Sequence, residues 1–167
     1  MARTAYPILG IDPGTKHSAW IRYEDGRPVR SEMGIENNSK LLTMLRHRDW
    51  PGSPTLAIEW VESFGMAVGR EVFETTYWIG RFLEAWLNQG GAAVRIGRRD
   101  IKLHLCGQVR ANDANIRAAL IDRYGASRSE AIGLKGDQGP LYGVKAHIWS
   151  ALAVAVTAAE NKYRWET

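Results

Sequence analysis

The sequence predicts an α/β domain with a central mixed β-sheet flanked by helices. Three observations predict it. A short apolar run, Pro7 to Ile11, stops at the turn Asp12-Pro13-Gly14 and is followed by two strand-like segments joined by Asp25-Gly26. Beyond them, strand-like runs alternate with segments of helical periodicity, the pattern of layered α/β architecture. The length, 167 residues, fits a single domain spanning 1–167. A domain of that size buries roughly 70% of the surface its unfolded chain exposes.

The elements follow in order. Ser18 to Tyr23 and Arg27 to Ile35 read as strands, and Asp25-Gly26 as a hairpin turn because both residues accept positive φ. With Pro7 to Ile11 they make three antiparallel strands. Asn38 or Ser39 caps a short helix reaching about Arg48, with Leu41, Leu42 and Leu45 on one face. Pro51-Gly52-Ser53-Pro54 is a loop, and Thr55 to Glu59 a buried strand. Val72, Thr76, Ile79, Leu83 and Trp86 repeat at helical spacing, so a long helix runs from about Gly69 to Asn88 and stops at Gly90-Gly91. Ala92 to Ile96 returns as a strand. Asp113 caps a helix reaching Tyr124, ended by Gly125. Ser127 to Tyr142, rich in glycine and polar residues, reads as a mobile loop. Val144 to about Lys162 forms a last helix packed through Ala151, Leu152, Ala155 and Ala158.

Composition narrows the function classes. Cys106 is the only cysteine, which excludes a disulfide framework and a Cys-based zinc site. No apolar run approaches the roughly 20 residues that span a bilayer. Met1 to Pro7 lacks the apolar core of a signal peptide, so the expected compartment is cytoplasmic. The net charge is +4. Its distribution says more. Arg95, Arg98, Arg99, Lys102, His104 and Arg110 face a single acid, Asp100, between Val94 and Arg110. Such a segment suits a polyphosphate partner, and equally a solvated face without a ligand.

Three residues stand where chemistry is placed in α/β proteins. Asp12 and Glu59 end strands, and His147 opens the last helix. Magnesium takes hard oxygen ligands, and two such ions can activate water against a phosphodiester. Taken singly, Asp12 could cap its turn, Glu59 could be a surface strand end, and His147 could be structural.

Four segments carry a family resemblance. Ile8-Leu9-Gly10-Ile11-Asp12-Pro13-Gly14-Thr15 resembles the first motif of the RuvC family of DNA-junction resolvases. Ala57-Ile58-Glu59 with Phe64, Gly65 and Ile79-Gly80-Arg81 resembles the second. Lys102 to Ile116, with Gly107, Ala111 and Asp113, is similar to the family's lysine- and glycine-bearing segment before a helix. His147-Ile148-Trp149-Ser150-Ala151-Leu152-Ala153-Val154-Ala155 resembles the last motif. The phrases Gly69 to Thr75 and Lys102 to Gly107 look most like the branch carried by bacteriophages.

The resemblance implies a ribonuclease H-like fold and a homodimer that cleaves branched DNA such as four-way junctions. It implies a site of two Mg²⁺ or Mn²⁺ ions on Asp12, Glu59 and His147. The chain departs from the family at Ser150, where the last acid belongs. A hydroxyl is a poor substitute for an anionic ligand, so the fourth ligand is open between Ser150 and Asp137, with Glu62 a further nearby acid. Arg95, Arg98, Arg99, Lys102 and Arg110 are the expected phosphate contacts. Phe64 and Met66 either wedge into the junction centre or, as is commoner, staple the next helix to the sheet. The seven tryptophans are expected in the core and dimer interface, with Trp78 and Trp86 placed for a partner subunit. Two other classes stay open. One is a sugar-kinase or actin-type phosphate-binding domain, which Asp12-Pro13-Gly14-Thr15 fits in part. The other is a non-catalytic branched-DNA binder with a degraded metal site.

Overall fold

A computed structural model describes residues 6–161. Strands β1 (Ile8–Asp12), β2 (His17–Glu24) and β3 (Arg27–Asn37) form an antiparallel meander. Helix α1 (Asn38–His47) leads to β4 (Thr55–Trp60), and α2 (Arg70–Leu87) crosses over to β5 (Ala93–Gly97). Then come α3 (Arg98–Cys106), α4 (Asp113–Tyr124), α5 (Arg128–Ala131), the small hairpin β6 (Gly133–Leu134) and β7 (Asp137–Gln138), and α6 (Ile148–Glu160). The five-stranded sheet has the order β3-β2-β1-β4-β5, with β4 parallel to both β1 and β5. It is the expected mixed sheet, and Asp25 and Gly26 take positive φ at its hairpin, 52° and 79°.

Strand alternation sorts side chains between two cores. Leu9, Ile11, Trp20, Leu56 and Ile58 pack on α1 and α2, with Phe82, Leu83 and Trp86 opposite. Ile8, Ala19, Ile21, Ala57, Val94 and Ile96 face the other layer, with Ile101 of α3, Ile116 and Leu120 of α4 and the small side chains of α6. Helix α6 is buried from Ile148 to Ala158 except at Ser150, because Gly10 lets it lie directly on β1.

Several local expectations change. The cap of α1 is Asn37, whose side chain accepts from the Ser39 amide. Asn38 is buried instead, donating to the Gly14 carbonyl at 2.8 Å and accepting from the Ser18 hydroxyl at 2.7 Å. The cap of α4 is Asn112, in a reciprocal capping box with Asn115, which releases the Asp113 carboxylate for other partners. Helix α3 was hidden in the basic segment, where only Ile101 and Leu105 mark its buried face. Ser127 to Tyr142 is a short helix and hairpin rather than an unstructured loop. Arg30 holds it by donating to Gln138 Oε1 and to the Gln138 and Gly139 carbonyls at 2.9–3.0 Å. Its glycines serve close packing: a Cβ on Gly139 would meet the Glu130 and Ala131 carbonyl oxygens. The end of α6 was expected at Lys162, outside the described residues; the helix stops at Glu160.

Candidate metal and phosphodiester site

Parallel register brings Asp12 and Glu59 together. Ile11 pairs with Ile58, so the next residue of each strand is Asp12 and Glu59. Both carboxylates share parity with Gly10 and Ala57 and emerge on the α6 side of the sheet. The buried Ser18 and Asn38 side chains fix the turn after Asp12, bonding both the amide and the carbonyl of Gly14. Helix α6 begins above β1, and His147, at its N-cap, sets Nδ1 3.2 Å from Asp12 Oδ2.

Helix α3 closes the site from the β5 side. Arg98, its first residue, donates to Glu59 Oε2 at 3.4 Å and to Asp113 Oδ1. One turn on, Lys102 adds positive potential at Glu59. A cavity of about 380 Å³ opens beside the carboxylate pair; its wall includes Arg98, Asp113, Arg117, His147, Trp149 and Ser150, but neither Asp12 nor Glu59. His147 and Ser150 thus share the cavity side of α6, as residues three apart on a helix do.

The electrostatics are those of carboxylates held out of water. Burial raises the proton affinity of Asp12, opposed by His147 and Arg98. Burial also pushes Glu59 up from 4.5 to about 7, with the Asp12 charge adding to it and Arg98 opposing. Desolvation therefore outweighs the guanidinium. A raised folded-state value means that stability present below pH 4.5 is lost as pH rises through about 7. In a chelator, Glu59→Gln should be more stable than the wild type near pH 8, by up to about 3 kcal/mol. The gap should close towards about pH 4. Denaturant melts across that range check it, and a gap independent of pH would refute the assignment.

Among the described residues no three His, Cys, Asp or Glu side chains converge closely enough to hold an ion. The donor chemistry nonetheless suits a divalent cation. Of two neighbouring half-buried carboxylates, the Asp12 charge makes Glu59 harder to ionise, an imidazole nitrogen stands beside Asp12, and a guanidinium supplies positive charge at Glu59.

The other expected residues scatter. Asp137 is exposed in β7, in the hairpin that Arg30 ties beside β3. That hairpin lies towards the Tyr23–Pro28 end of the sheet, whereas Asp12 pairs with Ala19 at the other end, so Asp137 is not brought to the cavity. Glu62 sets its carboxylate against Gly97, at the N-terminus of α3. Arg95 is on the opposite sheet face from α3, its guanidinium 4.7 Å from the Trp60 ring centre. The basic segment is therefore not one surface. Arg99 and Arg110 are exposed, while Arg98 is committed to acids. Phe64 and Met66 do not staple α2 to the sheet, being 66% and 77% exposed. Trp86 is buried in the chain's own core, its indole donating to the Ala92 carbonyl at 3.0 Å, and does not await a partner. Trp78 is half-buried against Phe82. Sequence reasoning missed Asp113 and Arg117 at the cavity, since Asp113 carried the signature of a cap.

No protein-family model matches the chain, and no curated protein matches it. Solved structures do, two of them of RuvC. One is RuvC of Thermus thermophilus, 20% identical over 92% of this chain and 93% of that one, with a TM-score of 0.61. The other is T. thermophilus RuvC in complex with Holliday junction substrate, with the same identity and coverage and a TM-score of 0.62. The chain has the RuvC, ribonuclease H-like fold.

Proposed function

We propose that this chain is a divalent-metal-dependent endonuclease of the RuvC type, hydrolysing phosphodiesters in branched DNA such as four-way junctions. The observation that carries the proposal is the Asp12–Glu59 pair on adjacent parallel strands beneath His147, at the carboxyl edge of a RuvC-like sheet. The neighbour bound to Holliday junction substrate supports branched DNA as the partner class. Asp12, Glu59 and His147 would hold the ions, Mg²⁺ or Mn²⁺, two per site. Such ions, when bound, activate water and stabilise the leaving oxygen.

The chain's own residues divide the remaining work. The sheet edge holds Asp12 and Glu59 side by side, and burial strengthens their pull on a cation. The imidazole of His147 is a softer donor than carboxylate, and Ser150 adds a neutral oxygen, so the site should favour Mn²⁺. Arg99, Lys102 and Arg110 would bind phosphates from outside. A homodimer belongs to the proposal. The exposed Phe64 and Met66, with Phe73 and Tyr77 on the outer side of α2, offer apolar surface for a second copy or a junction wedge. No helix among the described residues is long and apolar enough to cross a membrane. We place the protein in the cytoplasm of a bacterial cell, with a phage-borne origin the expectation from its sequence phrases.

Labelled four-way, flap and linear DNA, incubated in Mg²⁺ and in Mn²⁺, test the activity. Cleavage of branched DNA, faster in Mn²⁺, is expected. Binding without cleavage in either metal would instead support the non-catalytic binder, which Ser150 and the Arg98–Glu59 contact favour. Arg98 should compete with metal. Arg98→Ala should tighten Mn²⁺ binding roughly three- to tenfold, the scale of a partly buried ion pair. Calorimetric titration checks this, and unchanged affinity would mean that the guanidinium does not stand in the ion's way.

A further inference from the structure

The cavity beside His147 is lined by one arginine that no acid among the described residues claims. Arg98 is spent on Glu59 and Asp113. Arg117, on the first turns of α4, forms no ion pair with any described residue. It lies one helical turn from Asp113, the spacing at which opposite charges usually meet. Its guanidinium instead lies over the buried Trp149 ring, 4.7 Å from the centroid. A stacked guanidinium keeps its in-plane N–H donors available, and that fork matches two oxygens of a phosphate. Stacking also fixes the side chain in advance, so binding loses less rotamer entropy.

Two helices, α4 and α6, aim this cation. Trp149 stands two residues after His147 on α6, and Arg117 shares the cavity wall with His147 and Ser150. A phosphate oxygen seated there would be anchored next to the side chain that meets Asp12. We propose that Arg117, held by Trp149, is a phosphate-binding residue that grips the DNA strand in the cavity beside the Asp12–Glu59 pair. This rests on the nuclease reading above and extends it, naming a backbone phosphodiester as the ligand of the cavity. Arg117 is a positioning group: it fixes the strand, while Asp12, Glu59 and His147 address the reacting phosphate.

The test uses the full chain, a labelled four-way junction and Mn²⁺ alone as the metal probe. Arg117→Ala should cut single-turnover cleavage of bound junction by about ten- to a hundredfold, the scale expected for a misplaced strand. It should lower the salt slope of junction binding by about one. Manganese binding, followed by electron paramagnetic resonance, should stay as in the wild type. Arg117→Lys should restore the salt slope but only part of the rate, since lysine keeps the charge and loses the fork. Thermal melts of both variants identify any loss of fold, and the Lys variant carries the comparison if the Ala variant melts early. Wild-type rate and slope in Arg117→Ala would overturn the assignment while leaving the nuclease reading intact. A wild-type protein that binds no DNA would overturn both.

Discussion

Asp12→Asn should lower cleavage of branched DNA by at least about a thousandfold while leaving junction binding in place. The substitution keeps shape and removes the charge that would hold the ion shared with Glu59. Binding survives because phosphate contacts come from cationic side chains, and losing an anion at the sheet edge does not weaken them. The fold should survive too. Burial already resists ionisation of Asp12, so a neutral amide removes a desolvation cost in metal-free buffer. The measurements are cleavage rate, junction affinity and melting temperature on one preparation. Full activity in the variant would remove Asp12 from the ligand set. Loss of both binding and folding would make Asp12 a structural turn residue.

The second large effect falls on stability, at Gly10. A Cβ there would stand 2.5 Å from the Ala151 carbonyl oxygen and 2.8 Å from the Ala155 Cβ. The first obstacle is helix backbone, which cannot rotate aside. Nor can β1 retreat, since it pairs with β2 on one side and β4 on the other. Gly10→Ala should therefore destabilise the protein by about 3 kcal/mol, the upper range for overpacking a core. Whatever remains folded should have α6 lifted from β1. That moves His147 away from Asp12 and weakens Mn²⁺ binding. Chemical denaturation and a manganese titration read the two consequences. A Gly10→Ala protein that melts and binds as the wild type would mean that α6 does not lie on β1 as described.

Much of the architecture was legible because local chemistry and tertiary structure agree. Asp25-Gly26 demands a hairpin wherever it sits between strands, and the Leu41, Leu42 and Leu45 stripe buries as its spacing requires. Where several residue types serve two purposes, the sequence was silent. Asn38 and Ser39 were the caps the sequence offered for α1, but Asn37 caps it, and only the Gly14 turn folding back onto the helix start selects Asn38 for burial. Glycines around 133–139 read as flexible, but they are there to let backbones touch.

The sequence by itself determined the mixed α/β sheet and the strand-end placement of Asp12 and Glu59, because strand period and turn chemistry are local properties. It also set His147 and Ser150 on one side of α6, through the three-residue helical spacing. Only the tertiary structure decided what those residues meet. Parallel register set Asp12 level with Glu59, and the closeness of Gly10 to α6 lowered His147 onto Asp12. The turn from β5 into α3 spent Arg98 on Glu59 and Asp113 and left Arg117 over Trp149. The hairpin's attachment to Arg30 kept Asp137 away. Charge and spacing along a chain say which groups exist, but a site depends on separations of a few ångströms between residues up to 135 positions apart, and those are fixed by packing alone.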